Sequence, residues 1–355
     1  MLKYLASLKI SVFGLLWLFV LTLWGTIAQV QVGLYEAQER FFYSFVLWVF
    51  GCIPLPGGRF ILWLLFANLI AATLTRFIKY RKKRYAGLII VHLGLLFYLV
   101  AAFVVFHGSV ESTVHLMENQ ETAFSTSYHE WEIVLLNPST MTGHLIDLDQ
   151  LLNEKTLSVE ALGVTLALEE YAENARMPGS GEAAVLQKLP VNGERSQNVP
   201  AVRLVASDRA KSFDFILFGQ ALNPSPLPLE GALATIQLRR KQVRLPFTIR
   251  LDDFRVQFYP GTEMAKSYES DVTINDGSLE RKALISMNQP LRYGPYTAFQ
   301  SSYQIDQMGQ EYSIFAVVRN GGRYLPYISS LLVFGGLTLH FLAMAFVRKE
   351  GKHAS

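Results

Sequence analysis

Hydrophobic positions gather in four long uncharged runs, and much of the remaining chain alternates between apolar and polar residues. The runs cover residues 10–28, 60–75, 86–106 and 324–347. A membrane-crossing helix needs about 20 apolar residues, so the pattern predicts four transmembrane helices. The second run has only 16 residues between Arg59 and Arg76, and these two side chains are expected to extend toward the membrane surfaces. The first run exceeds the length of a signal-peptide core and is expected to be retained.

A shorter aromatic stretch at 41–53 lies between the first two runs and ends at Pro54 and Pro56. Its 13 residues are too few to cross a bilayer. We expect this segment to lie along the outer membrane interface or to pack on neighbouring helices.

Residues 107–323 show the alternation of half-buried β-strands, with Gly, Pro, Asn and Asp clusters between the strands. The predicted fold class is therefore four transmembrane helices plus a large all-β, sandwich-like domain outside the cytoplasm. Within 246–259 the apolar positions change from odd to even numbers, which predicts a one-residue bulge near Asp252 and Asp253. The stretch 172–198 is rich in loop-forming residues and predicts a mobile loop or a weakly ordered hairpin.

Charge then orients the predicted helices. The chain carries a formal net charge of +3, and its basic residues cluster at 3–9, 76–84 and 348–352. Cytoplasmic segments next to membrane helices are enriched in Lys and Arg, so both termini are expected in the cytoplasm. The predicted division is 1–106 as an N-terminal membrane region, 107–323 as an extracytoplasmic β-rich domain, and 324–355 as a last span with a tail. This distribution gives no indication of a nucleic-acid partner.

Catalytic motifs are absent from the sequence. It has no G-x-S-x-G elbow, phosphate-binding glycine loop, H-E-x-x-H pair or CxxCH haem-attachment site. Its one cysteine, Cys52, excludes an internal disulfide. The histidines 107, 115, 129 and 144 lack metal-ligand spacing and are interpreted as polar surface residues. No catalytic residue is predicted.

Two histidines fall inside predicted membrane helices, His92 in the third run and His340 in the fourth. Burial in an apolar medium favours the neutral imidazole, which is the form that binds metals. Both rings lie about 10 Å from the cytoplasmic ends of their helices, so they are expected at similar depth. This placement suits axial ligation of a haem iron between helices. In the alternative, each ring bonds a neighbouring helix and has only a structural role.

The chain resembles the ResB family of cytochrome c biogenesis proteins of the System II pathway. The resemblance rests on a series of short motifs: Leu245-Pro246-Phe247, Leu251, Phe254, Tyr259, Gly261, Tyr268-Glu269-Ser270, Asn288-Gln289-Pro290-Leu291, Tyr293-Gly294-Pro295-Tyr296 and Phe299-Gln300-Ser301-Ser302-Tyr303. A further motif, Gly25-Thr26-Ile27-Ala28-Gln29, has Ala28 where the family has proline, and Asn320-Gly321-Gly322 replaces the usual D-P-G.

The resemblance implies a subunit that binds haem b as a transported substrate and works with a CcsA-like membrane protein. Together they present haem for covalent attachment to apocytochrome c, so this chain is expected to be a subunit of a haem-attachment complex. It also implies that His92 is an axial ligand of the haem iron. The resemblance places the second axial ligand on the CcsA-like partner. His340 is the alternative candidate within this chain. The tryptophan-rich haem-handling segment W-G-x-x-W-x-W-D is absent from this chain.

The resemblance implies a location in the bacterial cytoplasmic (inner) membrane with a periplasmic β-domain, and a plastid membrane remains an alternative. Two other functions stay open. One is a membrane-anchored β-domain scaffold whose histidines are structural and bind no haem. The other is a b-type electron-transfer subunit, which usually carries two or more histidine pairs. We also expect surface residues of the motif region, such as Tyr259 and Gln300, to form a docking surface.

Overall fold

The computed structural model describes residues 2–79, 85–137, 142–178, 185–208, 211–219, 221, 223–229, 232–306 and 309–353. The chain divides into two compact units. A helical unit combines Met1–Ser109 with Asn320–Ser355, and a β unit comprises Val110–Arg319.

The helical unit contains the four long apolar runs as helices. Its helices are α1 (Leu2–Leu5), α2 (Leu8–Val32), α3 (Leu34–Gln38), α4 (Gly58–Lys79), α5 (Ala86–Gly108) and α7 (Leu325–His353). Four of them contain stretches long and apolar enough to cross a membrane: Leu8–Val32, Gly58–Ile78, Ala86–Gly108 and Leu325–Ala345. The prediction of four such helices is therefore confirmed. The second is longer than predicted, because Arg59 and Arg76 lie inside α4.

A buried side-chain amide on α4 links that helix to α1 and to the start of α2. Asn68 of α4 is 3% exposed and donates to the carbonyl oxygens of Leu5 and Ser7, at 2.5 and 3.1 Å. Its own carbonyl oxygen accepts the Ser11 hydroxyl at 2.7 Å. Both ends of the amide are satisfied, as burial of a polar group among apolar helices requires.

The aromatic stretch at 41–53 packs on α2. It contains the end of a π-helical turn (Glu39–Tyr43) and strand β1 (Val46–Val49), which pairs with β2 (Ile53–Pro56). Phe41 and Leu47 are 2% and 1% exposed and form a buried cluster with Leu21. Packing on a neighbouring helix, one of the two predicted arrangements, is therefore confirmed.

The β unit contains the remaining elements. These are β3 (Val110–Met117), β4 (Glu121–Asn137), β5 (Thr142–Asp147), α6 (Leu148–Glu154), β6 (Thr156–Val159), β7 (Val164–Ala172), β8 (Ala175–Arg176), β9 (Gln187–Lys188), β10 (Ala201–Ser207), β11 (Ser212–Phe218), β12 (Ser225–Leu229), β13 (Ala232–Phe258), β14 (Ala265–Asn275), β15 (Glu280–Ser286), β16 (Leu291–Tyr293), β17 (Tyr296–Ile305) and β18 (Glu311–Arg319). The prediction of a large β-rich domain is confirmed.

In the described residues these strands form one large antiparallel sheet, one smaller one and the two-stranded pair β8-β9. The large sheet has the order β15-β14-β13-β4-β3-β18-β17-β16, with β12 on β13 and β5 on β4. The smaller sheet has the order β11-β10-β7-β6. One core lies where strands of both sheets meet, and it includes Ile133, Leu166, Leu204 and Ile236. A second core, between strands of the large sheet, includes Val114, Leu251, Val272 and Phe315.

The predicted bulge is present in β13. Its pairing with β14 passes from Leu251 directly to Asp253, so Asp252 is the extra residue. The side-chain phase changes at that point, and the buried Leu251 and Phe254 both reach the same core. The stretch 172–198 contains a short hairpin in which Ala175 pairs with Lys188. Residues 179–184 of that stretch lie outside the described residues.

Candidate functional site

One face of α5 is a seam of small residues that packs on α7. Gly87, Gly94 and Ala101 are buried and recur every seven residues, which places them on one side of the helix. A Cβ at Gly87 would collide with the backbone of Gly336 and His340, and one at Gly94 would lie 2.8 Å from the side chain of Val333. These glycines therefore allow the two helix backbones to approach closely.

His92 lies on a different face of the same helix. It follows Gly87 by five residues, which is a rotation of about 140° at 3.6 residues per turn. The ring contacts α4 there, and Arg76 and Thr73 are its hydrogen-bonding partners. Arg76 Nη1 is 2.8 Å from Nε2, and Thr73 Oγ1 is 3.4 Å from Nδ1. Positions 73 and 76 are three residues apart, so both project from one side of α4.

The donors around His92 determine which nitrogen carries its proton. A guanidinium only donates hydrogen bonds, so Nε2 of His92 must accept from Arg76. Thr73 donates its hydroxyl hydrogen to the carbonyl of Leu69 at 2.7 Å, which leaves its oxygen as the acceptor for Nδ1–H. This assignment makes the imidazole neutral, with its lone pair on Nε2. A metal would be bound by that lone pair.

His340 lies in a different environment. Its Nδ1 is buried and has no hydrogen-bond partner among the described residues, and its ring lies 5.8 Å from that of Phe341. Its backbone is level with Gly87, about 7.5 Å along α5 from His92, since five residues separate those positions. The backbones of the two histidines are thus offset by about one and a half helical turns. That their rings share one depth in a membrane stays a prediction.

The structure does not bring the two imidazoles together. Both residues are described, and no hydrogen bond or ring contact joins them. His92 points to α4, whereas His340 belongs to the helix packed on the opposite side of α5. Each ring keeps a feature that suits a metal ligand: a neutral ring with a located lone pair in His92, and an unpartnered buried nitrogen in His340.

Sequence reasoning missed Arg76 and Thr73. Arg76 was interpreted only as a membrane-boundary residue. A usable signal exists, because an antiparallel pair of helices joined at 79–86 brings the last turns of the first beside the first turns of the second. Arg76 is three residues before that connection and His92 is six residues after it, so the long arginine side chain can reach the ring.

The described residues of the β unit contain no candidate metal-binding cluster. No group of three or more His, Cys, Asp or Glu residues there is arranged to hold a metal ion. Gln300, which the sequence suggested as a surface residue, is only 6% exposed. It accepts the Ser270 hydroxyl at 2.8 Å and donates to Ser313 at 2.9 Å, so it is a buried structural residue. Tyr259 is 48% exposed and fits the expectation of a surface position.

Comparison with known proteins tests the resemblance directly. Residues 230–330 match the model of the ResB-like family. The matched segment is ResB-like. It includes β13 to β18 and the start of α7, and therefore most of the second core of the β unit. His92 and Arg76 lie outside it.

A curated relative also matches part of the chain. Protein NrfI of Wolinella succinogenes is 31% identical to the chain over 125 residues, which is 34% of this chain and 13% of that protein. The chain thus matches about an eighth of the relative's length. The ResB resemblance is confirmed, and it supports a role in cytochrome c biogenesis.

Proposed function

We propose that this ResB-like chain is a membrane subunit of cytochrome c biogenesis that binds haem through His92. With a CcsA-like partner it would carry haem across the membrane and present it to apocytochrome c. The observation that carries the proposal is the contact of His92 in an apolar helix, where Nε2 lies 2.8 Å from Nη1 of Arg76 and must therefore offer a lone pair. The ResB-like match supplies the biological context.

The four apolar helices support placement in a membrane. In this arrangement Lys3, Lys9 and Arg76 lie at the cytoplasmic side, as the enrichment of cytoplasmic segments in Lys and Arg requires. The helix ends that hold His92 and His340 then lie in the cytoplasmic half of the bilayer, where haem made in the cytoplasm would enter. The β unit would lie on the opposite side, where the apocytochrome is exported.

The residues around His92 would each have a defined task. Thr73 accepts the Nδ1–H and keeps the ring in the tautomer that directs the lone pair of Nε2 outward. Arg76 lies beside that nitrogen and carries a positive charge, which suits the carboxylates of haem. When bound, the haem iron would accept the Nε2 lone pair. The second axial ligand would come from the partner or from His340, whose Nδ1 has no hydrogen-bond partner.

The test is the substitution His92→Ala, with haem measured in the purified protein. Loss of a metal ligand should lower haem affinity by at least about tenfold, because even outer-shell changes cost 10- to 100-fold. The variant leaves a hole the size of the imidazole, so added imidazole should restore part of the bound haem and of cytochrome c maturation.

His107→Ala is the matched control, since His107 lies on the same helix and its ring hydrogen-bonds the carbonyl of Phe103 in its own turn, at 3.0 Å. It should retain haem. A loss in His340→Ala equal to that in His92→Ala would assign the second ligand to this chain, whereas a loss at His92 alone would assign it to the partner. Wild-type haem content in His92→Ala would contradict the proposal.

A scaffold without haem is the second candidate. It is favoured by the fact that both nitrogens of His92 already have partners on α4, as a structural histidine would. In that case the purified wild-type protein should be colourless, and His92→Ala should change its stability without any imidazole rescue.

A further inference from the structure

Arg76 carries a charge that its surroundings leave uncompensated. It lies three residues before the end of α4 and is half-buried against α5. Throughout the described part of the chain, no carboxylate lies within ion-pairing distance of its guanidinium. The contact that it makes is the hydrogen bond to neutral His92. A guanidinium has five N–H donors, and this single bond uses one of them.

That single bond falls on the atom that a metal would need. Nη1 of Arg76 lies 2.8 Å from Nε2 of His92, and its N–H donates to the lone pair of that nitrogen. An iron atom cannot approach Nε2 while the guanidinium occupies this position. Ligation at His92 therefore requires Arg76 to move, and something must compensate for the hydrogen bond that is lost.

A carboxylate on the arriving ligand supplies this compensation. Hydrogen bonds between a guanidinium and a carboxylate are charge-assisted and often bidentate, and they are roughly twice as strong as a bond to a neutral acceptor. The exchange is favoured further because Arg76 has no acidic partner in the described structure to give up. An iron porphyrin that carries carboxylates can therefore offer both groups at once, the metal for Nε2 and the anion for Arg76.

We propose that Arg76 is a carboxylate-binding subsite that covers His92 Nε2 in the empty protein and uncovers it when a carboxylate-bearing metalloporphyrin arrives. In this step the Nη1–H···Nε2 hydrogen bond breaks, the iron–nitrogen bond forms, and the guanidinium bonds the carboxylate. The proton on Nδ1 stays in place and no electron is transferred. The inference rests on the proposed haem ligation by His92 and adds the selection of the ligand by its carboxylates.

The test compares two probes on the full-length protein in nanodiscs, stripped of haem. One probe is iron protoporphyrin IX, and the other is its dimethyl ester, which lacks the anionic carboxylates. Ligation is read from the low-spin Soret spectrum, and affinity from titration. The wild type should prefer the free acid over the diester by about 10- to 100-fold, the range expected for a charge-assisted contact.

Arg76→Gln should lose most of this preference. Since the variant also removes the charged cover from Nε2, it should bind the diester at least as tightly as the wild type does. Arg76→Lys keeps a cation without the planar fork and should retain part of the preference. Arg59→Gln is the control, because Arg59 lies near the other end of α4, over the ring of Phe45 at 5.6 Å, and should leave the preference unchanged.

The outcomes separate this inference from the proposed function. If Arg76→Gln and Arg76→Lys keep the wild-type preference for the free acid, the subsite is wrong while ligation by His92 stands. If His92→Ala shows the wild-type low-spin spectrum with both probes, ligation by His92 is wrong and the inference falls with it. A wild type that ligates neither porphyrin overturns both.

Discussion

At the scale of single residues, the site depends on a chain of hydrogen bonds that leads from backbone to ligand. The Leu69 carbonyl fixes the Thr73 hydroxyl, the Thr73 oxygen fixes Nδ1–H of His92, and that proton fixes the lone pair on Nε2. Each bond is ordinary in strength, about 1 kcal/mol net. Their joint effect is geometric, because they select one tautomer and one orientation of the ring.

Thr73→Val therefore tests the orientation of the ring without removing it. The substitution keeps the side-chain shape and deletes the acceptor for Nδ1–H, so haem affinity should fall by about fivefold, corresponding to about 1 kcal/mol. Thr75→Val is the matched control, since the Thr75 hydroxyl bonds the carbonyls of Ala71 and Ala72 on its own helix. Titration with haem measures both. Equal losses in the two variants would show that helix stability, and not the orientation of His92, accounts for the effect.

At the scale of elements, α5 has two faces that each pack on another helix. Its glycine seam packs on α7, and its His92 face meets α4. Gly87→Ala should disrupt the first contact, because the added Cβ collides with backbone atoms of Gly336 and His340, which cannot yield as a side chain can. We expect a loss of more than about 1 kcal/mol in the free energy of unfolding, measured by denaturant titration in detergent.

Gly335→Ala on α7 provides the comparison for that experiment. A Cβ there meets nothing within 4 Å, so the variant should be neutral or more stable by up to about 1 kcal/mol, the difference in helix propensity between Ala and Gly. Identical destabilisation of both variants would contradict the packing account. A selective effect at Gly87 would show that close backbone approach determines the choice of glycine.

At this scale the sequence predicts well those features that depend on a single helix or strand. The bounds of α5 follow from an uninterrupted apolar run, and the bulge at Asp252 follows from a change of phase within one strand. What it missed depends on pairs of elements. Gln300 lies in a polar stretch of sequence, yet Ser313 on the neighbouring strand β18 and Ser270 on the more distant β14 satisfy its amide in the core. Arg76 contacts His92 only when α4 and α5 pack together, so its role cannot be predicted from α4 alone.

At the scale of the whole molecule, topology is the decisive prediction. If both termini are cytoplasmic, an alkaline phosphatase reporter fused after residue 200 should be active, since that enzyme folds only after export. A fusion after residue 82, within the basic cluster at 76–84, should be inactive and serves as the control. An inactive reporter at 200 together with an active one at 82 would reverse the orientation and place His92 in the opposite half of the bilayer.

The glycine seam of α5 also affects the order in which helix contacts can form during synthesis. α4 and α5 leave the ribosome almost together, but Val333, which fills the seam at Gly94, is made roughly 240 residues later. At about 5 to 20 residues per second, this is a delay on the order of 10 to 50 s. The Arg76–His92 contact needs only the two helices made first. During synthesis the histidine is therefore covered before the helix that completes its support has been made.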